Sequence, residues 1–228
     1  MFTNCTRQKS RSQFDTAVAP KPLEKSESTT EITRMSTNEA SDQVLFAASS
    51  KPNLVLDLDE TLLHSSLQMF AEHQSIIVAS AEDNAFSRAS GNRRHTPFYI
   101  AARSGAKEFV KLLAESFRIH IWTSASASYA QAAIDFLGIR RYVGRVLTLS
   151  NCLYSDGYPL KVLSQAGFDP QNTILIDDQP RQVEANPGSA IQVPEFRGEK
   201  DDYLGRLARY LIISSTDFDT KRICAEWK

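Results

Sequence analysis

The chain has 228 residues, of which 42% are hydrophobic, enough to bury one sizeable core. Its formal net charge of −1 shows no excess of lysine and arginine, so direct binding to nucleic acid or to an anionic membrane is not expected. The cysteines Cys5, Cys152 and Cys224 are scattered, which argues against a disulfide framework and a structural zinc site and favours a reducing compartment.

Residues 1–50 differ in character from the rest of the chain. They are rich in serine and threonine, carry charges of both signs and have almost no periodic apolar pattern, so we predict a flexible tail. Arg7, Lys9 and Arg11 precede the first acidic residue, as in an organellar presequence, but few apolar residues accompany them. No apolar stretch approaches the roughly 20 residues of a membrane-spanning helix. We expect an intracellular location, cytoplasmic or nuclear, with organellar targeting as an alternative.

The pattern changes abruptly at Lys51-Pro52. The apolar run Leu54-Val55-Leu56 ends in acidic residues, as in a buried parallel strand that leads into a polar loop. Apolar runs at 76–78 and 98–100 predict two further strands that enclose a polar stretch over 79–97, and we interpret about 67–97 as a small strand-containing insertion.

Helices and strands alternate along the following residues. Helices are predicted from a cap at Ser104 to about Phe117, over 126–137 with a stop at Gly138, over 160–166 with a stop at Gly167, and over about 201–211. Strands are predicted over 119–122, 145–149, 173–176 and 190–193. This alternation indicates a parallel sheet covered on both faces, whose ligands bind beyond the carboxyl ends of the strands.

Polar clusters follow three of these strands. Asp57 and Asp59 follow the first strand, Thr123-Ser124 follow the strand that ends at Trp122, and Asp177-Asp178 follow the strand over 173–176. The three clusters converge on one edge of the sheet if these strands are neighbours. On spacing alone, an Asp-x-Asp pair after a strand can equally cap the next helix.

Four motifs carry a resemblance to a known family. The string LVLDLDETLLH, from Leu54 to His64, closely resembles the first motif of the haloacid dehalogenase superfamily. It is most similar to that of phosphatases acting on the carboxy-terminal domain of RNA polymerase II and of NLI-interacting-factor-like phosphatases. YIAARSG at 99–105, IWTSA at 121–125 and ILIDDQP at 174–180 match further motifs, and Tyr129 and Lys161 match single positions. The resemblance covers about 51–212 and leaves 213–228 as a C-terminal extension.

The resemblance implies a Rossmann-like α/β fold of the haloacid dehalogenase type, with a small β insertion after the first motif. It also implies a phosphatase in which Asp57 forms an aspartyl-phosphate and Asp59 acts as general acid and base. Thr123 and Lys161 would complete the catalytic set by contacting the phosphoryl oxygens.

The same resemblance implies a Mg²⁺ cofactor, held by Asp57, the backbone carbonyl of Asp59, and Asp178. Asp177 would then orient Lys161 or a metal-bound water, with a cap of the next turn as the alternative. Thr61, Ser124 and Tyr129 are the expected substrate-binding residues.

The expected substrate is phosphoserine or phosphothreonine in a protein or peptide. Leu149 stands where the polymerase-directed relatives carry an arginine that helps to hold the peptide, which argues against specificity for the polymerase tail. One alternative is a phosphatase for a small metabolite, which requires the insertion to fold over the site. Another is a catalytically silent binding module, against which the retained acids of the motifs argue.

Overall fold

The computed structural model describes residues 51–70, 74–79 and 95–227. The predicted tail over 1–50, with its basic residues, and much of the predicted insertion lie outside the described residues.

The strands in chain order are β1 (Asn53–Leu56), β2 (Leu63–Ser66), β3 (Gln74–Ala79), β4 (His95–Ala102), β5 (Arg118–Trp122), β6 (Val143–Leu147), β7 (Leu153–Ser155), β8 (Tyr158–Leu160), β9 (Thr173–Asp177) and β10 (Ala190–Gln192). The helices are α1 (Ala106–Leu113), α2 (Ala127–Leu137), α3 (Pro180–Glu184), α4 (Tyr203–Ser214) and α5 (Thr220–Glu226).

The main sheet is parallel, with strand order β10-β9-β1-β5-β6. β1 lies at its centre, and Leu56 pairs with Ile121 of β5 on one side and Ile176 of β9 on the other. The carboxyl ends of these three strands therefore meet at one edge, which confirms that the three polar clusters converge. The alternation of side chains along β1 sends Leu54 and Leu56 into one buried cluster and Val55 into a second, so both faces of the sheet are covered.

A separate antiparallel sheet follows the first motif, with strand order β2-β4-β3. It contains both strands predicted for the insertion, and β2 in addition. Residues 71–73 and 80–94, which connect its strands, lie outside the described residues.

Three predicted boundaries are wrong. α1 begins after Gly105, which has φ 75° and makes no side-chain cap, so Ser104 is not the cap; the helix ends at Leu113, before Phe117. β6 ends at Leu147, because Leu149 begins a short 3-10 helix over Leu149–Asn151. The predicted helix over 126–137 and its stop at Gly138 are confirmed as α2, with Ser126 as its N-cap.

The predicted helix over 160–166 is also wrong. The antiparallel hairpin β7-β8 ends at Leu160, and turns follow it. Asp156 and Gly157 both have positive φ, 51° and 80°, the conformation of a tight hairpin turn that Asp-Gly favours. The Asp-Gly pair is visible in the sequence and indicates this hairpin. It predicts the structure of the segment better than the helical spacing of the apolar residues after it.

The chain after residue 212 carries α5, which packs onto the preceding helix. The Trp227 indole donates a hydrogen bond of 2.7 Å to the Tyr203 hydroxyl, and Ile223 is fully buried in the core. Within the described part of the chain, every helix is too short or too polar to cross a membrane.

Candidate active site

The first motif forms a tight loop at the end of β1. The backbone N–H of Asp57 donates to the Ile176 carbonyl at 3.0 Å, which extends the sheet and fixes Asp57 at its edge. The Leu58 carbonyl then accepts hydrogen bonds from the next turn, while Glu60 takes the left-handed conformation at φ 59°. Asp57 and Asp59 consequently face the same cleft.

Lys161 lies between two acidic side chains at this edge. Its ammonium nitrogen is 2.5 Å from Asp57 Oδ1 and 2.7 Å from Asp177 Oδ2. All three residues are almost completely buried. Burial alone would lower the pKa of Lys161, but the charges of Asp57 and Asp177 outweigh it and raise that pKa, so the ammonium stays protonated. Burial raises the pKa of Asp57 despite the lysine.

The backbone around Lys161 is held by two amide side chains from α3 and the residues after it. Gln182 Oε1 accepts from the Lys161 backbone N–H at 2.8 Å, and Asn186 Oδ1 accepts from the Leu163 N–H at 2.9 Å. Asn186 also donates to the Lys161 carbonyl at 2.6 Å. Of these groups, the Lys161 carbonyl is the one that a helix over 160–166 would bond internally, because the N–H groups of a helix's first turn have no partner within it.

Three hydroxyl groups surround the carboxylate of Asp59. Tyr129 donates to Oδ1, Ser65 donates to the same oxygen at 3.0 Å, and Thr123 donates to Oδ2 at 3.4 Å. Burial and the nearby Asp59 charge raise the pKa of Tyr129, which keeps its hydroxyl protonated as a donor. Both oxygens of Asp59 are therefore oriented by fixed donors.

The residues of the last motif complete an acidic trio with Asp57. One carboxylate oxygen from each of Asp57, Asp177 and Asp178 lies within 4.8 Å of the others. Burial raises the pKa of Asp178, while the side chain of Gln179 donates to its Oδ2 at 2.5 Å. Carboxylate oxygens are the ligands that Mg²⁺ prefers, so this donor set fits that ion. The carboxylate of Asp59 lies outside the trio.

The acidic trio, Asp59 and Lys161 line a cleft of about 280 Å³. Of the predicted site residues, the cleft brings together Asp57, Asp59, Ser124, Lys161, Asp177 and Asp178.

Three predicted site residues do not line the cleft. Thr61 is fully buried, and its hydroxyl oxygen has no hydrogen-bond partner among the described residues. Tyr129 and Thr123 are 4% and 1% exposed, and both hydroxyls bond to Asp59. In the structure the hydroxyls of Tyr129 and Thr123 orient Asp59, and the substrate contacts of Thr61, Tyr129 and Thr123 stay predictions.

Sequence reasoning missed the wall of the cleft formed by the hairpin and α3. Tyr158, Pro159, Gln179, Arg181 and Gln182 all line it. The Asp156-Gly157 turn could have indicated the hairpin, whereas no local pattern indicates that the hairpin faces α3.

Comparisons with known proteins agree on the family. The model of the family described as NLI interacting factor-like phosphatase matches residues 52–222. A Dictyostelium discoideum protein, "Probable C-terminal domain small phosphatase", is 32% identical over 149 residues, which are 65% of this chain and 45% of that protein. The human "Carboxy-terminal domain RNA polymerase II polypeptide A small phosphatase 2" is 26% identical over 149 residues, 65% of this chain and 51% of its own length.

Solved structures agree on the fold. The structure of "Fcp1, an essential RNA polymerase II CTD phosphatase" superposes with a TM-score of 0.52 and 18% identity, and covers 83% of this chain and 55% of that one. A fission yeast Fcp1 variant bound to beryllium fluoride gives a TM-score of 0.51 at 16% identity, over 83% of this chain and 57% of that one. These matches confirm the predicted fold class. The chain spans about half, or less, of the length of the curated relatives described above.

Proposed function

As this chain belongs to the NLI interacting factor-like phosphatase family, we propose that it is a Mg²⁺-dependent phosphatase acting on phosphate monoesters. One observation carries the proposal: Lys161 holds Asp57 at the end of β1, beside Asp177 and Asp178, in a cleft that Asp59 also lines. A nucleophile, a general acid and a set of oxygen ligands are thus available to one phosphate group.

The proposed nucleophile is Asp57. Lys161 occupies its Oδ1, and Oδ2 accepts no hydrogen bond within the described residues, so Oδ2 is available to attack phosphorus. Attack forms a covalent aspartyl-phosphate as the bond to the leaving oxygen breaks, and water then hydrolyses this intermediate. The covalent intermediate replaces one difficult displacement at phosphorus by two easier ones.

The proposed general acid and base is Asp59. It gives a proton to the leaving oxygen in the first step and takes one from the attacking water in the second. Its three hydroxyl donors support this role, because they hold the carboxylate in one orientation without adding a competing charge.

The proposed cofactor is Mg²⁺, with Asp57 and Asp178 as its carboxylate ligands and Asp177 beside them. When bound, the ion would neutralise charge on the phosphoryl oxygens. The charge of the cleft supports this proposal, since five carboxylates line it against one lysine and one arginine. The backbone carbonyl of Asp59 remains a predicted further ligand.

The proposed substrates are phosphoserine and phosphothreonine in proteins. The relatives named as phosphatases of the carboxy-terminal domain support this class. We do not extend the proposal to the polymerase tail, because Leu149 offers a 37% exposed apolar side chain where the family resemblance implies an arginine in polymerase-directed enzymes.

Hydrolysis of p-nitrophenyl phosphate by the purified chain tests the proposed function. We expect activity with Mg²⁺, loss of activity with a chelator, and a decrease of at least about 10³-fold in kcat for Asp57→Asn. Asp135→Asn is the matched control, because this exposed carboxylate lies on α2, away from the cleft, and its loss should leave kcat unchanged. Full activity in Asp57→Asn would exclude the covalent mechanism. A folded, Mg²⁺-replete chain without activity would instead identify a binding module.

A further inference from the structure

We propose that Arg181, stacked on the ring of Tyr158, binds an anionic group that lies close to the phosphorylated residue in the substrate. That group is the carboxylate of an acidic residue or a second phosphate on the same peptide. The inference rests on the proposed function, because it specifies which phosphopeptides the same cleft accepts.

The two side chains form one unit across two elements. The central carbon of the Arg181 guanidinium lies 3.8 Å from the centroid of the Tyr158 ring, so the cation sits on the aromatic face. Tyr158 comes from β8 and Arg181 from the first turn of α3, and both are exposed and line the cleft. Stacking uses the face of the guanidinium and leaves its N–H edge available for two parallel bonds to a carboxylate or phosphate.

The distribution of charge supports a substrate contact. Two cations line the cleft within the described residues, Lys161 and Arg181. Lys161 is buried and already paired with Asp57 and Asp177. Arg181 is exposed and forms no ion pair with any carboxylate in the described part of the chain. In a cleft dominated by acids, Arg181 is therefore the cation that remains available to an anionic substrate.

Hydrogen bonds of Gln182 join the backbone segments that carry the pair. Gln182, next to Arg181, donates to the carbonyl of Pro159, next to Tyr158, at 3.0 Å, and accepts from the backbone N–H of Lys161 at 2.8 Å. These bonds tie the segments that carry Tyr158 and Arg181 to the backbone of Lys161 at the proposed site of phosphoryl transfer. Such preorganisation reduces the entropy lost when a ligand binds.

The strand sets the spacing that the substrate must match. Lys161 directly follows β8 and stands three residues after Tyr158, a backbone separation of roughly 10 Å at the rise of an extended chain. An extended peptide covers the same distance in about three residues. The second anion should therefore lie within about three residues of the phosphoserine, on one side of it.

The test compares phosphoserine peptides that differ only in one flanking residue. Alanine, glutamate or a second phosphoserine is placed three residues before or after the reactive phosphoserine, and kcat/KM is measured for each peptide. We expect an anionic flank on one side to raise kcat/KM by about tenfold, a typical gain from one charge-assisted contact. A larger gain from phosphoserine than from glutamate would identify a phosphate as the preferred anion.

Variants assign the preference to the stacked pair. Arg181→Gln should reduce the ratio of kcat/KM between anionic and alanine flanks to within about twofold, since the amide keeps polarity without charge. Tyr158→Phe should retain the ratio, because the ring remains, whereas Tyr158→Ala should lower it. Arg209→Gln, a change at an exposed arginine of α4, is the matched control and should retain it.

Equal kcat/KM for all flanks in the native chain, or a preference that survives in Arg181→Gln, would overturn the inference. Failure of the proposed function gives a different result, because no peptide and no aryl phosphate would then be hydrolysed. In that case equilibrium binding of the same peptides decides the inference. Tighter binding of the anionic peptides that disappears in Arg181→Gln supports it, and equal binding refutes it.

Discussion

Asp57 and Asp59 are two residues apart in one loop, yet their surroundings differ in kind. Asp57 is buried against the ammonium of Lys161, whereas Asp59 accepts hydrogen bonds from neutral hydroxyls. A fixed ammonium holds a nucleophile in place and offsets its charge. Neutral donors orient a group that must gain and lose a proton. Environment, more than residue type, thus supports different roles for two identical side chains.

Tyr129→Phe should lower kcat by about tenfold, because it removes one donor that orients Asp59 and retains the ring. The ring should continue to pack on Phe98, 5.0 Å away between centroids, so the free energy of unfolding should change by less than about 1 kcal/mol. A phosphoserine peptide should lose more activity than p-nitrophenyl phosphate, since its poorer leaving group depends more on protonation by Asp59.

Tyr210→Phe is the control for Tyr129→Phe. It removes a hydroxyl that donates to the Ile223 carbonyl at 2.9 Å, between α4 and α5, away from Asp59. Its kcat should equal that of the native chain on both substrates. Equal losses of activity on both substrates in Tyr129→Phe would contradict a role through the acid.

At the scale of elements, amide side chains determine the conformation after β8. Asn186 is buried and bonds to the Leu163 N–H and to the carbonyls of Lys161 and Gln182. Apolar residues in this segment recur at helical spacing, but the segment forms turns, and the Lys161 carbonyl, which a helix would bond internally, accepts from Asn186. Local propensity is a weak preference, and tertiary hydrogen bonds override it here.

Asn186→Ala should lower the free energy of unfolding by about 2 to 4 kcal/mol, because it leaves buried backbone groups without partners. Activity should also fall, since the backbone of Lys161 loses part of its support. Urea denaturation and p-nitrophenyl phosphate hydrolysis measure the two effects.

Gln165→Ala is the control for Asn186→Ala, because this exposed residue lies in the same turn and should affect stability by no more than about 0.5 kcal/mol. Asn186→Asp distinguishes the effect of the accepted bond from that of the donated bonds, since it retains the acceptor for Leu163 and loses both donated bonds. Native stability in Asn186→Ala would show that the amide does not determine the turn.

At the scale of the whole molecule, His120 links three strands of the main sheet. Its Nδ1 accepts from the Arg145 backbone N–H at 3.1 Å, and its Nε2 lies 3.1 Å from Asn53 Oδ1. This pattern requires the neutral ring with the proton on Nε2. Burial, followed by the charges of Arg145 and Arg118, lowers the pKa of His120 to about 4.

The free energy of unfolding should therefore fall in acid. An unfolded histidine has a pKa of about 6.5, so between about pH 6.5 and 4 the unfolded chain binds a proton that the folded chain excludes. The contribution of His120 is complete above this window and is lost as the pH falls through it. Between about pH 7.5 and 5 the loss should be roughly 2 kcal/mol.

Urea denaturation at both pH values, for the native chain and for His120→Gln, isolates this contribution. The amide of glutamine does not titrate, so the variant should lose roughly 2 kcal/mol less than the native chain over the same interval. Identical losses would show that other groups cause the acid sensitivity.

The sequence by itself determined the alternating fold and the convergence of Asp57, Asp177 and Asp178 on one edge of the sheet, whereas Lys161 was expected in the site only from the family resemblance. Apolar periodicity and chain order specify buried parallel strands, and the ends of neighbouring strands must meet. Only the tertiary structure decided that Tyr129 contacts Asp59 and that Arg181 stacks on Tyr158. Those contacts join residues from separate elements, and their geometry depends on how the elements pack, which local sequence patterns do not encode.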